Sequence, residues 1–138
     1  LDYVGVLAVE LFVTKQGELL VNEMAPRTHN SGHFTIDACL TSQFEQQVRM
    51  ICGLSFGDSK LLSSVVMTNM LGDLWIGENN QMSQPKWQNL LENKITKLHL
   101  YGKAEARKGR KMGHFCTLAD TRESAITEAT KIFKELDV

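Results

Sequence analysis

The chain has 138 residues, 43% of them hydrophobic, and a net charge of -1. This length suits one domain with a real core, and the balanced charge excludes a global field that would attract nucleic acid or an anionic membrane. No apolar run approaches the ~20 residues of a membrane span, and no signal peptide is expected. Because the sequence reads as a strand from Leu1 onward, we expect a fragment with further sequence upstream.

The three cysteines are Cys39, Cys52 and Cys116, and their spacing contains no CxxC pair. This pattern disfavours a zinc site and a disulfide framework. We expect three small buried side chains in a protein of the reducing cytoplasm.

The first elements predicted are two strands, over residues 5–13 and 19–24, joined by a tight turn over 15–18. A turn centred on Gln16 and Gly17 places Glu10 directly opposite Glu23, with Cβ atoms ~4.5–5.5 Å apart. Two opposed carboxylates are destabilising unless compensated, and Mg²⁺ selects such oxygens. The alternative is a solvent-exposed face with two harmless glutamates. Asn22 would join the site only if the strand bulges or ends there.

A polar loop over residues 25–35 follows the hairpin. The planar guanidinium of Arg27 matches carboxylate-like anions such as bicarbonate, and a histidine such as His29 can donate, accept or shuttle protons. Asn30 adds a further polar group. A plain turn bonded to its own backbone is the alternative. For His33, between Gly32 and Phe34, a structural role is favoured over a catalytic one.

A helix is predicted to begin with a capping box of Ser42 and Glu45 and to end at Gly53. Its apolar residues fall on one face: Phe44, Val48, Ile51 and Cys52. The later elements are, in chain order, a β-rich run over 61–71, a loop over 72–83, a short helix over 85–92 with Pro85 in its first turn, and a second hairpin over 97–103 and 111–118.

A final helix is predicted to be capped by Asp120 and Glu123, with an apolar stripe at Ile126, Ala129, Ile132, Phe133 and Leu136. The order β-β-α-β-α-β-β-α favours an antiparallel α+β fold over a doubly wound sheet.

Cationic side chains crowd the tip of the second hairpin, where nine residues contain Lys103, Arg107, Lys108, Arg110 and Lys111. A solvated tip, RNA binding and a phosphate-monoester pocket are the three interpretations. In the third, Gly109, Arg110 and Lys111, followed by Gly113 and His114, supply flexible backbone and donors.

The runs 9–13 and 22–33, with the specific sequence His-Asn-Ser-Gly-His at 29–33, resemble the ATPase subunit of phosphoribosylaminoimidazole carboxylase. This family, also called N5-carboxyaminoimidazole ribonucleotide synthetase, belongs to the ATP-grasp superfamily. Residues 41–45 and 100–114 are similar to the same family, so the resemblance covers nearly the whole chain.

The resemblance implies an ATP-dependent carbon–nitrogen ligase that phosphorylates bicarbonate to carboxyphosphate and carboxylates 5-aminoimidazole ribonucleotide. It implies that Glu10 and Glu23 hold Mg²⁺ on the ATP phosphates, with Asn22 beside Glu23 at the nucleotide. Further roles implied are bicarbonate and carboxyl binding by Arg27, His29 and Asn30, and binding of the ribonucleotide phosphate by Lys103, Arg110 and Lys111.

By the same resemblance, residues 1–60 form part of the C-terminal lobe of an ATP-grasp domain and residues 61–138 a β-rich subdomain with a terminal helix. The adenine-covering lobe and the family's N-terminal domain are absent, so we expect the isolated chain to be inactive, with exposed apolar surface that favours a homodimer. A sister ligase acting on another purine ribonucleotide, an RNA-binding module and a plain structural domain remain as alternatives.

Overall fold

The computed structural model describes residues 2–77 and 81–136. The chain divides into two compact units, Leu1–Leu62 and Ser63–Val138. The first unit contains strands β1 (Ala8–Val13) and β2 (Leu19–Ala25), a 3₁₀ turn (Asn30–Gly32), and helices α1 (Thr35–Ala38) and α2 (Gln43–Ile51).

The hairpin β1–β2 places Glu10 opposite Glu23, which confirms the predicted pairing. Near the turn, however, Leu11 faces Val21, so an uninterrupted ladder would have placed Asn22 opposite Glu10. The register shifts between Glu10 and Leu11, and this β-bulge at Asn22 restores the glutamate pair. The turn is therefore centred half a residue away from the predicted position. The one-residue bulge compensates for this difference, so the predicted glutamate pair still forms.

Helix α2 begins and ends as the sequence predicts. The Ser42 hydroxyl accepts a hydrogen bond from the Glu45 N–H at 3.2 Å. Gly53 has a φ of +66° and donates to the Met50 carbonyl, while Leu54 donates to the Arg49 carbonyl. These paired bonds satisfy the last carbonyls of the helix. The apolar face of α2 is exposed, with Val48 at 58% and Ile51 at 66%.

The second unit is a three-stranded antiparallel sheet in the order β3-β5-β4, with two helices packed on it. Its elements are β3 (Ser64–Leu71), a 3₁₀ turn (Gly72–Trp75), α3 (Trp87–Glu92), β4 (Thr96–Leu100), β5 (Lys111–Ala119) and α4 (Arg122–Glu135). Its core consists of Met70, Leu74, Trp75, Leu90, Met112, Phe115, Ala129, Ile132 and Leu136.

Three local predictions in this unit were wrong. Pro85 precedes α3, because Lys86 is the N-cap residue. Thr121, with extended backbone, caps α4 by accepting from Ser124 N–H, so Asp120 lies outside the helix. The buried face of α4 includes Ala125, whereas Ile126 and Phe133 are exposed.

The flexible backbone predicted over residues 109–114 was wrong for Gly113 and His114, because both lie buried inside β5, whereas Gly109 lies in an exposed turn with a φ of +72°. None of the helices within residues 2–77 and 81–136 is long and apolar enough to cross a membrane.

Gly113→Ala is expected to destabilise the second unit, because an added Cβ would lie 2.5 Å from the His99 carbonyl oxygen and 2.9 Å from Met70 Cε. Overpacking of this kind costs about 1–3 kcal/mol. Gly77→Ala is the matched control, since its nearest neighbour would be 3.5 Å away. Urea unfolding of both variants measures the difference, and equal midpoints would contradict the close strand packing described.

Candidate functional site

The β-bulge gathers three polar side chains on one side of the hairpin. Asn22 Nδ2 donates to Glu10 Oε2 at 3.3 Å. The side chains of Glu10 and Glu23 are 36% and 51% exposed. The bulge thus turns Asn22 to the face of Glu10, which strict alternation along the strand would have prevented.

His29 lies buried between the two carboxylates. Its Nε2 is 2.8 Å from Glu23 Oε1, and its Nδ1 is 3.3 Å from Glu10 Oε1. Nδ1 also accepts from the Ser31 backbone N–H at 3.3 Å and lies 2.8 Å from Ser31 Oγ. A backbone N–H can only donate, so Nδ1 is the accepting nitrogen and Nε2–H donates to Glu23.

The arrangement fits a divalent cation. Ligand atoms of Glu10, Glu23 and His29 all lie within 4.8 Å of one another. With Nδ1 as an acceptor, no proton on Nδ1 supports its 3.3 Å contact with Glu10 Oε1, and the two carboxylates repel each other across the ladder. Oxygen ligands with room left for water and phosphate are those that Mg²⁺ uses.

Other residues predicted for this site lie at its edge. Arg27 is exposed, and its guanidinium donates to the Thr28 carbonyl at 3.0 Å. Asn30 begins the 3₁₀ turn, and its carbonyl accepts from His33 N–H. Over the described ranges 2–77 and 81–136, neither side chain bonds to the glutamate pair. The structure therefore brings Glu10, Asn22, Glu23 and His29 together and leaves Arg27 and Asn30 beside them.

Sequence reasoning missed Gln43 as a site residue and treated it only as part of the helix start. Its buried side chain bonds to the backbone of His29 and to His33. The His33 ring also stacks on Phe44, with centroids 5.4 Å apart. These contacts support the structural role predicted for His33.

The basic segment of the second unit is an anchored loop. Lys103 Nζ donates to the Lys111 carbonyl, and lies 5.4 Å from the centre of the Tyr101 ring. The Arg110 guanidinium donates to the Glu105 carbonyl at 2.8 Å. Lys111 begins β5 with an exposed side chain.

The 3₁₀ turn after β3 fixes this loop. Asp73 Oδ2 accepts from Gly109 N–H at 2.8 Å, and Gly72 N–H donates to the Arg110 carbonyl. A Cβ at Gly72 would lie 2.2 Å from the Arg107 carbonyl oxygen, so the backbones approach too closely for any other residue. The backbone of the loop is thus anchored, while the side chains of Lys103, Arg107, Lys108 and Lys111 stay exposed.

A cavity of about 140 Å³ opens beside Lys103. Its lining combines apolar and polar groups: Trp75, Gln84, Leu100, Gly102, Lys103 and Met112. Burial raises the pKa of the nearby Tyr101 phenol above its ordinary value, and Cys116 adds to the shift. Tyr101 therefore keeps its proton at neutral pH, with its hydroxyl 2.8 Å from His114 Nδ1.

Comparison with known proteins identifies the class first. The ATP-grasp domain family matches residues 1–44, and the phosphoribosylaminoimidazole carboxylase C-terminal domain family matches residues 65–128. The hairpin with its opposed glutamates is thus part of an ATP-grasp fold.

Individual relatives narrow the class. The N5-carboxyaminoimidazole ribonucleotide synthase of Bacillus subtilis is 46% identical, over 99% of this chain and 34% of the relative. The Thermotoga maritima synthetase, known from a crystal structure, is 46% identical to this chain. Its TM-score is 0.84, and the match covers 97% of this chain and 37% of that one. The Aspergillus clavatus synthase, solved in complex with ADP and 5-aminoimidazole ribonucleotide, is 32% identical to this chain. Its TM-score is 0.79, and the match covers 96% of this chain and 35% of that one.

The chain belongs to the N5-carboxyaminoimidazole ribonucleotide synthetase family of ATP-grasp proteins. It spans about a third of the length of the relatives it matches. The predicted family resemblance and the antiparallel α+β fold are confirmed.

Proposed function

We propose that the full-length protein containing this chain is an ATP-dependent ligase of de novo purine biosynthesis. It converts 5-aminoimidazole ribonucleotide, bicarbonate and ATP to N5-carboxyaminoimidazole ribonucleotide, ADP and phosphate. Family membership supports this reaction, and the Aspergillus clavatus relative in complex with ADP and 5-aminoimidazole ribonucleotide supports the nucleotide and the ribonucleotide as its ligands. The observation that carries the proposal for this chain is the opposed pair of Glu10 and Glu23, joined by His29.

In this proposal, Glu10 and Glu23 would hold Mg²⁺ at the ATP phosphates, with Asn22 fixing the Glu10 carboxylate. The ion would neutralise phosphate charge during transfer. His29 orients Glu23 through its Nε2–H. A bicarbonate oxygen attacks the γ-phosphorus, the bond to ADP breaks, and carboxyphosphate forms.

The second half-reaction needs the reactive carboxyl to be held near the ribonucleotide amine. We assign this task to Arg27, His29 and Asn30, of which Arg27 and Asn30 carry side-chain donors that suit a carboxylate-like anion. The amine nitrogen attacks the carboxyl carbon, phosphate leaves, and the amine loses a proton. Lys103, Arg110 and Lys111 bind the phosphate monoester of the ribonucleotide, for which the anchored loop supplies preorganised cations.

Apolar surface on the first unit supports a partner from the same polypeptide. Side chains from both faces of the hairpin are exposed, among them Phe12 at 57%, Val13 at 71% and Val21 at 69%. Two-stranded sheets are marginal alone, so such a hairpin needs further packing. We propose that the remaining two-thirds of the ligase covers this surface. Without it, the chain is expected to self-associate, with a homodimer as the simplest product.

The cysteines fit the compartment proposed for this reaction. Within the residues that the structure describes, Cys39, Cys52 and Cys116 form no disulfide, and burial raises the pKa of the Cys39 thiol. Cysteines that are not cross-linked suit a reducing environment, so we propose a cytoplasmic enzyme.

The isolated chain is expected to release no ADP, whereas the full-length protein turns over only with all three substrates present. Turnover is measured by coupled detection of ADP, and product by incorporation of labelled bicarbonate. Omitting bicarbonate and adding formate is the control for a sister transformylase. Turnover by the isolated chain, or formate-dependent turnover by the full-length protein, would contradict the proposal.

A further inference from the structure

The side-chain amide of Gln43 is enclosed by the loop that carries His29. Gln43 is the first residue of α2 and is only 8% exposed. Its Oε1 accepts from His29 N–H at 2.9 Å, and its Nε2 donates to the His29 carbonyl at 2.8 Å. The second Nε2 proton points to His33 Nδ1 at 2.8 Å. The amide is thus bonded on both sides, and it fixes the backbone of His29 as a paired strand would.

The loop is shaped around this amide. A Cβ at Gly32 would lie 2.6 Å from Gln43 Oε1 and 2.8 Å from its Cδ, so a larger residue would displace the amide from this position. Thr35 Oγ1 accepts from Gln43 N–H at 3.0 Å and donates to the Gly32 carbonyl. Both the side chain and the backbone of Gln43 are therefore tied to the same turn.

The amide connects to the glutamate pair through His29. The two bonds hold the His29 backbone, and the ring of His29 contacts one oxygen of each carboxylate. We infer that Gln43 is a positioning residue, which holds His29 and through it sets the geometry of Glu10 and Glu23. This inference rests on the proposed function of the glutamate pair.

The chain supplies a matched control on the same helix. Gln46 Nε2 donates to the Gly57 carbonyl at 2.6 Å, and Gln46 Oε1 accepts from Gly57 N–H at 3.0 Å. This is the same pair of bonds to one backbone residue, made three residues further along α2. In the described part of the chain, neither Gln46 nor Gly57 bonds to His29 or the glutamates.

The test compares Gln43→Leu and Gln46→Leu in the full-length protein. Both variants lose two bonds to backbone and are expected to lower Tm by similar amounts. Only Gln43→Leu is expected to lower kcat, by about tenfold to a hundredfold, because small displacements of reacting groups have effects of this size. KM for ATP is expected to stay within about twofold, since the carboxylates themselves remain.

Equal kcat losses in Gln43→Leu and Gln46→Leu would overturn the inference, while loss of turnover in Glu10→Gln, Glu23→Gln would leave the proposed function standing. Hydrogen exchange at the His29 backbone amide tests the inference on Gln43 separately from the proposed function, because it requires no assay of turnover. The inference requires fast exchange in Gln43→Leu and slow exchange in Gln46→Leu. Slow exchange in both would reject it, whatever the enzyme does.

Discussion

Replacing Glu10 and Glu23 together by glutamine is expected to lower ADP release by the full-length protein about 100-fold or more. Loss of one preorganised electrostatic contact to a transition state costs about 10²–10³ in kcat, and this change removes both anionic ligands of the proposed cation. The carboxamide oxygens keep the shape of the site, so Asn22 and His29 retain neighbours of similar size. The measurement is ADP release with bicarbonate and 5-aminoimidazole ribonucleotide present.

Stability should move in the opposite direction from activity in this variant. Like charges directly opposite in a hairpin are destabilising, so removing both is expected to leave Tm unchanged or slightly higher. Glu18→Gln is the control, because Glu18 lies at the exposed turn of the same hairpin. Unchanged turnover in the double variant would show that the opposed glutamates are a tolerated surface feature, and the site assignment would fail with it.

The sequence predicted that Glu10 and Glu23 are opposed, but it did not predict the bulge that brings them together. Alternation and the turn residues 15–18 predicted opposed carboxylates, because the side-chain period of a strand is two. The turn lies half a residue from the position assumed, and a bulge at Asn22 compensates. A bulge leaves no clear mark in a single sequence, since the same residues could continue the ladder. The same bulge makes Asn22 a neighbour of Glu10, which was open from sequence alone.

The sequence did not identify Gln43 as a site residue, and the reason for this is different. It follows the capping residue Ser42, a position where polar residues are expected at the exposed end of a helix. The apolar stripe of α2 predicted the opposite burial: in this chain Phe44 and Val48 are exposed and Gln43 is buried. Hydrophobic periodicity reports which face will be covered in the complete fold. It does not report which polar side chain a neighbouring loop encloses.

The basic hairpin shows where local pattern and tertiary packing diverge. The residues 109–111, followed by glycine and histidine at 113–114, suggested a flexible phosphate-binding backbone, but the strands β3 and β4 flank Gly113 on both sides. The anchor of the loop is instead the pair Gly72 and Asp73, far away in sequence. Contacts of this separation are set by the sheet order, which a single sequence does not specify.

Lys103→Met is expected to raise KM for 5-aminoimidazole ribonucleotide by about 10- to 100-fold. A hydrogen bond to a charged group contributes about 1.5–3 kcal/mol, and each 1.4 kcal/mol corresponds to a factor of ten. Lys103 is positioned for this role, since its amine is held beside the Lys111 carbonyl and its side chain lines the cavity in the second unit. Steady-state kinetics with the ribonucleotide varied at saturating ATP measures the effect.

The comparison of KM for the ribonucleotide with KM for ATP identifies the substrate that Lys103 contacts. KM for ATP is expected to stay within about twofold, because the carboxylates proposed for the ATP phosphates are unchanged in this variant. Lys97→Met is the control for removing one positive charge, since Lys97 is an exposed residue of β4. A parallel rise in both KM values would assign Lys103 to the nucleotide phosphates instead. If neither KM value changes, the basic loop is not part of the substrate site and its role is structural.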